Sequence, residues 1–355
     1  MVSDVRFTHF VLGVALALML GYVLFIGRSI FIPVVTSILV VYVIAGVSRL
    51  ADHIPFVGRR IPLQVRYLLA ALVIGILLIE LSAIFIANLR SFVARAPELQ
   101  EALVGALQQG ATLLGIEHTL SWEAIRDEAL GTINLQSMVL SGFVSIAGLL
   151  GSVLFVLLNV AFLLMEQRSF QNKLLALSSD PAKTRRLLKV IGEINARVGR
   201  YLAVKTLINI ALGVVSWLIM AAMGLEFAVF WAIIIALLNY IPYVGSILAV
   251  AFPVTLAIVQ FDQFGAVLLL LGLLVAAQML MGNLVEPLVM GNSLNLSPYV
   301  ILLSLTAWSS LWGIAGAIFS VPIAAIMVIV FSEFERTRPI AILLSLNGRI
   351  PDRSR

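Results

Sequence analysis

The polar side chains best placed to do chemistry in this chain lie between positions 278 and 298. There Gln278, Asn283, Glu286, Asn292, Ser293, Asn295 and Ser297 interrupt two long apolar runs. Amides that both donate and accept, beside a carboxylate, are the groups that bind a small solute or ion by replacing its water. Asn283 and Glu286 stand three residues apart, a spacing that puts both on one face of a helix. Glu286 directly precedes Pro287, whose ring disfavours helical geometry at the residue before it. The helix entering this stretch is therefore expected to loosen near Val285 and unwind at Pro287, freeing carbonyls beside Glu286. In hydrocarbon such groups persist only where buried in protein or lining an aqueous cavity. Broken helices of this kind build the binding sites of many secondary transporters.

A second cluster, Asn-Tyr-Ile-Pro-Tyr-Val-Gly-Ser at 239–246, supplies Asn239, Tyr240 and Tyr243 around a corner made by Pro242 and Gly245. The apolar run before it, 228–239, is too short to cross a membrane, and 247–260 resumes with Pro253 inside it. Two half-length helices meeting at a Pro/Gly corner predict a re-entrant hairpin. The candidate solute-binding set is thus Asn239, Tyr240, Tyr243, Gln278, Asn283, Glu286 and Asn292. A hydroxyl-rich solute needs such neutral partners, since each unpaired buried polar group costs roughly 1–3 kcal/mol. Ion coupling instead needs an intramembrane acid, for which Glu80, Asp262 and Glu286 qualify. Pro242, Gly245, Pro287, Gly291, Pro298, Gly313, Gly316 and Pro322 are the expected hinge and re-entrant positions.

These groups must be carried by membrane helices. Of the 355 residues, 61% are apolar and 12% charged, against about a quarter charged in a soluble domain. Apolar runs of 18 or more residues recur, which predicts an all-α, polytopic transmembrane bundle with re-entrant and broken helices. The run at 10–26 has no small-residue cleavage site before Arg28 and reads as a retained anchor. The chain has no cysteine, so disulfides and thiolate metal sites are excluded. His9, His53 and His118 show no metal-ligand spacing, and no phosphate-binding loop is present. No metal, cofactor or built-in ATPase is expected. No Ser/His/Asp set or close acid pair points to an enzyme, and the net charge of +5 reflects membrane orientation, not nucleic-acid binding.

In order, 1–89 holds three spans (8–27, 30–47 and 67–89), with Glu80 in the outer half of the third. Positions 90–137 form a small extracytoplasmic helical insertion with six acids before 137 against three arginines. Leu99, Leu103, Leu107 and Leu114 give it an amphipathic stripe. The segment 138–205 holds a fourth span, with Ser141, Ser145, Gly148 and Ser152 on one face for close helix packing, and a basic cytoplasmic helix opened by Asp180-Pro181. The C-terminal bundle occupies 206–332, and a cytoplasmic tail 333–355. As one helix, 298–331 would be ~50 Å long against a core of ~30 Å, so a break is expected between Trp308 and Gly313 or at Pro322. Basic connectors at 48–66 and 166–205 place both termini inside.

The 239–246 motif, the 283–291 block with Glu286-Pro287, the Leu-Asn-Leu-Ser-Pro at 294–298, and Trp-Gly-Ile-Ala-Gly at 312–316 followed by Val321-Pro322 resemble the autoinducer-2 exporter family of bacterial membrane proteins. The layout matches over nearly the whole chain. What the resemblance implies is export of a small polar molecule, of the autoinducer-2 kind, from the inner membrane by a homo-oligomer embedded in lipid. Some relatives look like sodium/proton antiporters, so cation/proton exchange with Na⁺ or H⁺ is the alternative expectation.

Overall fold

The computed structural model describes residues 2–50, 61–113, 141, 144–145, 147–148, 152–177, 181–261, 263–290 and 294–348. Asp262, Gly291 and Asn292 lie outside the described residues, as does the 114–137 part of the insertion. Among the described residues the protein is α-helical, and its β structure is an isolated antiparallel bridge between Leu296 and Ser345. The helices are α1 (Val2–Ile26), α2 (Arg28–Leu50), α3 (Leu63–Leu113), α4 (Val153–Leu177), α5 (Pro181–Ala222), α6 (Ala228–Leu238), α7 (Val244–Gln260), α8 (Phe264–Met279), α9 (Glu286–Met290), α10 (Pro298–Glu333) and α11 (Arg338–Leu344). Arg28–Ser48, Val65–Phe92, Thr184–Ala222, Phe264–Met290 and Pro298–Glu333 are long and apolar enough to cross a membrane. The chain is an all-α polytopic protein.

Two helices run further than composition indicates. α3 continues through Arg90, where the sequence turns polar, for 51 residues. α5 joins the basic segment to the following apolar run in one helix of 42 residues, with no proline after Pro181 to stop it. A change of side-chain polarity does not by itself end a helix, and α3 runs on even through Pro97, Gly105 and Gly110.

Two compact units form, one from Met1–Ala45, Leu154–Arg200 and Leu294–Arg355, the other from Gly46–Val153 and Tyr201–Ser293. In the first unit α10 is not a rod. Gly313 adopts φ 60°, ψ −135°, and the Ser304 hydroxyl donates to the Ser320 carbonyl at 2.9 Å. Those residues would stand about 24 Å apart on a straight helix, so α10 is a hairpin folded at Gly313. A Cβ at Gly316 would sit 1.8 Å from the Trp308 carbonyl, which is how closely the arms approach. Pro322 lies buried inside the second arm without opening it. The Trp312 indole donates to the Leu24 carbonyl at 2.9 Å and seats the bend on α1. Ser297 caps α10, accepting from the Val300 amide at 3.3 Å with Pro298 in the first turn.

In the second unit α3 packs on α6 and α7. Phe85 lies 5.1 Å from Phe230, and Phe92 meets Phe230 at 5.9 Å and Trp231 at 5.5 Å between ring centroids. Above this aromatic core Arg95 pairs with Glu226 at 2.6 Å and covers the Phe227 ring. Both partners keep about half their side-chain surface exposed, 53% and 47%. Arg95→Ala is therefore expected to shift stability by no more than about 1 kcal/mol, read as the thermal unfolding midpoint in detergent.

Candidate functional site

The α6–α7 pair enters and leaves at one end. Gln260, the last residue of α7, donates to the Gly224 carbonyl at 2.7 Å and accepts from the Glu226 amide at 2.8 Å, just before α6 begins. At about 16 and 25 Å, arms of 11 and 17 residues each fall short of a ~30 Å core. The corner between them is the Asn239–Tyr243 motif.

That corner is strained. Tyr243 has φ 60°, ψ −60°, and the Val244 amide donates to the Pro242 carbonyl at 2.6 Å, a γ-turn of the rare hand. Gly245 follows because a Cβ there would lie 1.8 Å from the Leu238 carbonyl. The turn leaves the Tyr243 side chain exposed and sends Asn239 and Tyr240 towards α5.

A ladder of amides crosses this unit. Gln278 Nε2 of α8 donates to Asn239 Oδ1 at 2.8 Å, and Asn239 Nδ2 donates to Asn209 Oδ1 of α5 at 2.8 Å. Asn209 is 1% exposed, and its own Nδ2 is enclosed with no acceptor. Beside the ladder the Tyr240 and Thr206 hydroxyls lie 2.6 Å apart. One turn before Asn209, Lys205 donates to Glu286 Oε2 at 2.7 Å, with side-chain exposures of 8% and 26%.

The expected loosening before Pro287 takes the form of a wide turn. Leu280–Val285 is π-helical, and the Glu286 amide reaches back five residues to the Met281 carbonyl. Glu286 itself stays helical at φ −59°, ψ −50°, and α9 carries on through Pro287 to Met290. A proline without an N–H is accommodated where the ladder changes register. The π turn absorbs one extra residue, so Gln278 and Glu286 behave as though seven positions apart. At ~100° per residue that leaves them about 20° apart on one face. Asn283 falls on the exposed side, away from the cluster, because the three-residue spacing no longer keeps it with Glu286.

Of the sequence-derived set, the structure gathers Asn239, Tyr240, Gln278 and Glu286. Glu80 lies exposed on α3 among Ile76, Leu77 and Ile79. Sequence reasoning missed Thr206, Lys205 and Asn209. The signal was there: Tyr201, Lys205, Asn209 and Ser216 lie on the buried face of α5, with the first three at steps of four. Lys205 reads as part of the solvated basic segment because it ends that run of charges. It is buried instead.

A family model described as AI-2E family transporter matches residues 12–336. The chain belongs to the AI-2E transporter family. The AI-2 transport protein TqsA of Escherichia coli K12 is 28% identical over 94% of this chain and 96% of its own length. YhhT of the same organism, provisionally described as a transport protein, is 28% identical over 81% of this chain and 82% of itself. A Haemophilus influenzae protein with the same provisional description is 27% identical over 97% of this chain and 98% of its own length. Transport across a membrane, rather than catalysis, is what the family and these relatives indicate.

Proposed function

We propose that this AI-2E family member exports a small, hydroxyl-rich solute across the bacterial cytoplasmic membrane, the solute passing along the Asn209–Asn239–Gln278 ladder. What carries the reading is that ladder: three neutral amides from α5, α8 and the α6–α7 corner, ending in a buried donor that lacks an acceptor. Such groups are costly in an apolar bundle unless a ligand or water uses them. The α6–α7 hairpin is re-entrant, opening to the outer face at Glu226 and Gln260 and bringing its corner to the membrane interior. Both termini face the cytoplasm and the protein works as a homo-oligomer. An autoinducer-2-like molecule fits the chemistry, in keeping with the name of the Escherichia coli relative.

Cation/proton exchange is the second reading, and what favours it is Glu286, a part-buried acid inside the cluster. One experiment separates them. Purified protein in liposomes is assayed for xylitol counterflow, with and without imposed Na⁺ and H⁺ gradients. Export predicts xylitol counterflow that Asn239→Leu reduces at least about tenfold at equal protein incorporation, the expected loss when one buried amide is removed from a polar path. Sodium-driven proton flux without xylitol counterflow would instead establish the exchanger.

Orientation has its own check, which the cysteine-free chain makes simple. A cysteine at Gln263, exposed between α7 and α8, should react with an impermeant maleimide on intact cells, and one at Arg185 should not. The reverse pattern places the protein the other way up.

A further inference from the structure

We propose that Lys205 and Asn209 form a carboxylate seat and that Glu286 is a tethered competitor for it, so that the preferred solute is a small polyhydroxy monocarboxylate. The inference rests on the solute-export reading of the same cluster and narrows its substrate class. Lys205 and Asn209 are four residues apart on α5, a spacing that brings both side chains to one patch. With Asn209 Oδ1 taken by Asn239, what that patch has left to offer is donors: an ammonium of three N–H groups, one of them on Glu286, and an amide Nδ2 that is enclosed and unpartnered. A carboxylate uses both, one oxygen on each, while hydroxyls further along the solute meet Asn239 and Gln278. Glu286 already supplies a carboxylate to this seat.

The two members of the ion pair are not held alike. Lys205 is embedded, its side chain 8% exposed, on the uninterrupted helix α5. Glu286 is 26% exposed and stands directly after the π turn Leu280–Val285. Returning that turn to α-helical register rotates α9 by about 100°, enough to carry Glu286 off Lys205. The donors are therefore fixed and the resident acceptor is detachable. A neutral polyol cannot take its place, because it would leave the Lys205 ammonium buried without a counter-charge. An incoming carboxylate can.

The test reads binding, not flux. Full-length protein in detergent is titrated with D-xylonate and with xylitol, following the thermal unfolding midpoint. Glu286→Gln strands the Lys205 ammonium and should lower the unliganded midpoint. Measured from that midpoint, it should bind xylonate roughly tenfold more tightly than the parent, the effect of removing about 1.4 kcal/mol of competition, with xylitol unchanged. The double variant Lys205→Gln/Glu286→Gln has no charge to strand and should lose the preference for xylonate over xylitol. Exchanging the pair as Lys205→Glu/Glu286→Lys should restore the midpoint without restoring xylonate binding. Xylonate affinity that is unchanged or weaker in Glu286→Gln, or a preference that survives in the double variant, overturns the proposal. Either result leaves xylitol counterflow, and with it the export reading, standing. Tighter xylonate binding to Glu286→Gln without polyol flux from any variant does the reverse.

Discussion

Lys205→Met should unfold a large share of the protein, while Lys205→Met combined with Glu286→Leu should recover it. Removing the ammonium alone leaves the Glu286 carboxylate inside the bundle without its 2.7 Å partner. Breaking a buried pair from one side costs about 3–5 kcal/mol, and the lower figure applies here because Glu286 keeps 26% of its side-chain surface exposed. Replacing both charges by apolar residues of similar volume is often neutral or stabilising. The thermal midpoint in detergent and the amount of protein in the membrane report both variants. If the double variant also recovers transport, the pair is only structural.

Gly245→Ala should be nearly as damaging, through sterics instead of charge. The new methyl carbon would lie 1.8 Å from the Leu238 carbonyl oxygen and 3.1 Å from Ile241 Cβ. The first neighbour is backbone at the end of α6 and cannot rotate away, so the corner must open. Overpacking that forces backbone movement costs about 1–3 kcal/mol or more, and here it falls on a turn already strained at Tyr243. The expected result is loss of about 3 kcal/mol, with Asn239 pulled out of register from Asn209 and Gln278. Gly272→Ala is the matching control. A Cβ at that helical position on α8 meets nothing within 4 Å, so the change should be neutral or stabilising by up to ~1 kcal/mol. Equal midpoints for the two variants would contradict the corner's geometry.

Much of this was legible in the residues. The excess length of 298–331 announced a break in α10, because a run that stays apolar for longer than the membrane is thick does not fit it as one upright helix. The 308–313 stretch, where Gly313 folds the chain, was one expected place and Pro322 the other. The short run 228–239 followed by Pro and Gly announced the α6–α7 hairpin for the opposite reason, since an apolar run too short to cross must turn back. The π turn was half legible: Pro287 signals a disturbed ladder, but nothing local says whether the helix breaks or widens. That choice decided which side chains share a face, and it separated Asn283 from Glu286. Lys205 and Asn209 were hidden for a different reason. A lysine ending a basic run reads as solvated, and only a partner 81 positions away, Glu286, reveals it as buried.

A transported solute must occupy the space beside the amide ladder. Thr206→Cys places one thiol there, next to Tyr240, in a chain with no other cysteine. The substitution exchanges the hydroxyl for a thiol with loss of one methyl group and leaves Asn209, Asn239 and Gln278 untouched. Its rate of reaction with a small methanethiosulfonate reagent, measured with and without saturating xylitol in liposomes, reports whether solute sits there. Xylitol should slow the reaction severalfold, and the modified protein should no longer exchange xylitol. A reaction rate indifferent to xylitol, with counterflow intact after complete modification, would contradict that occupancy.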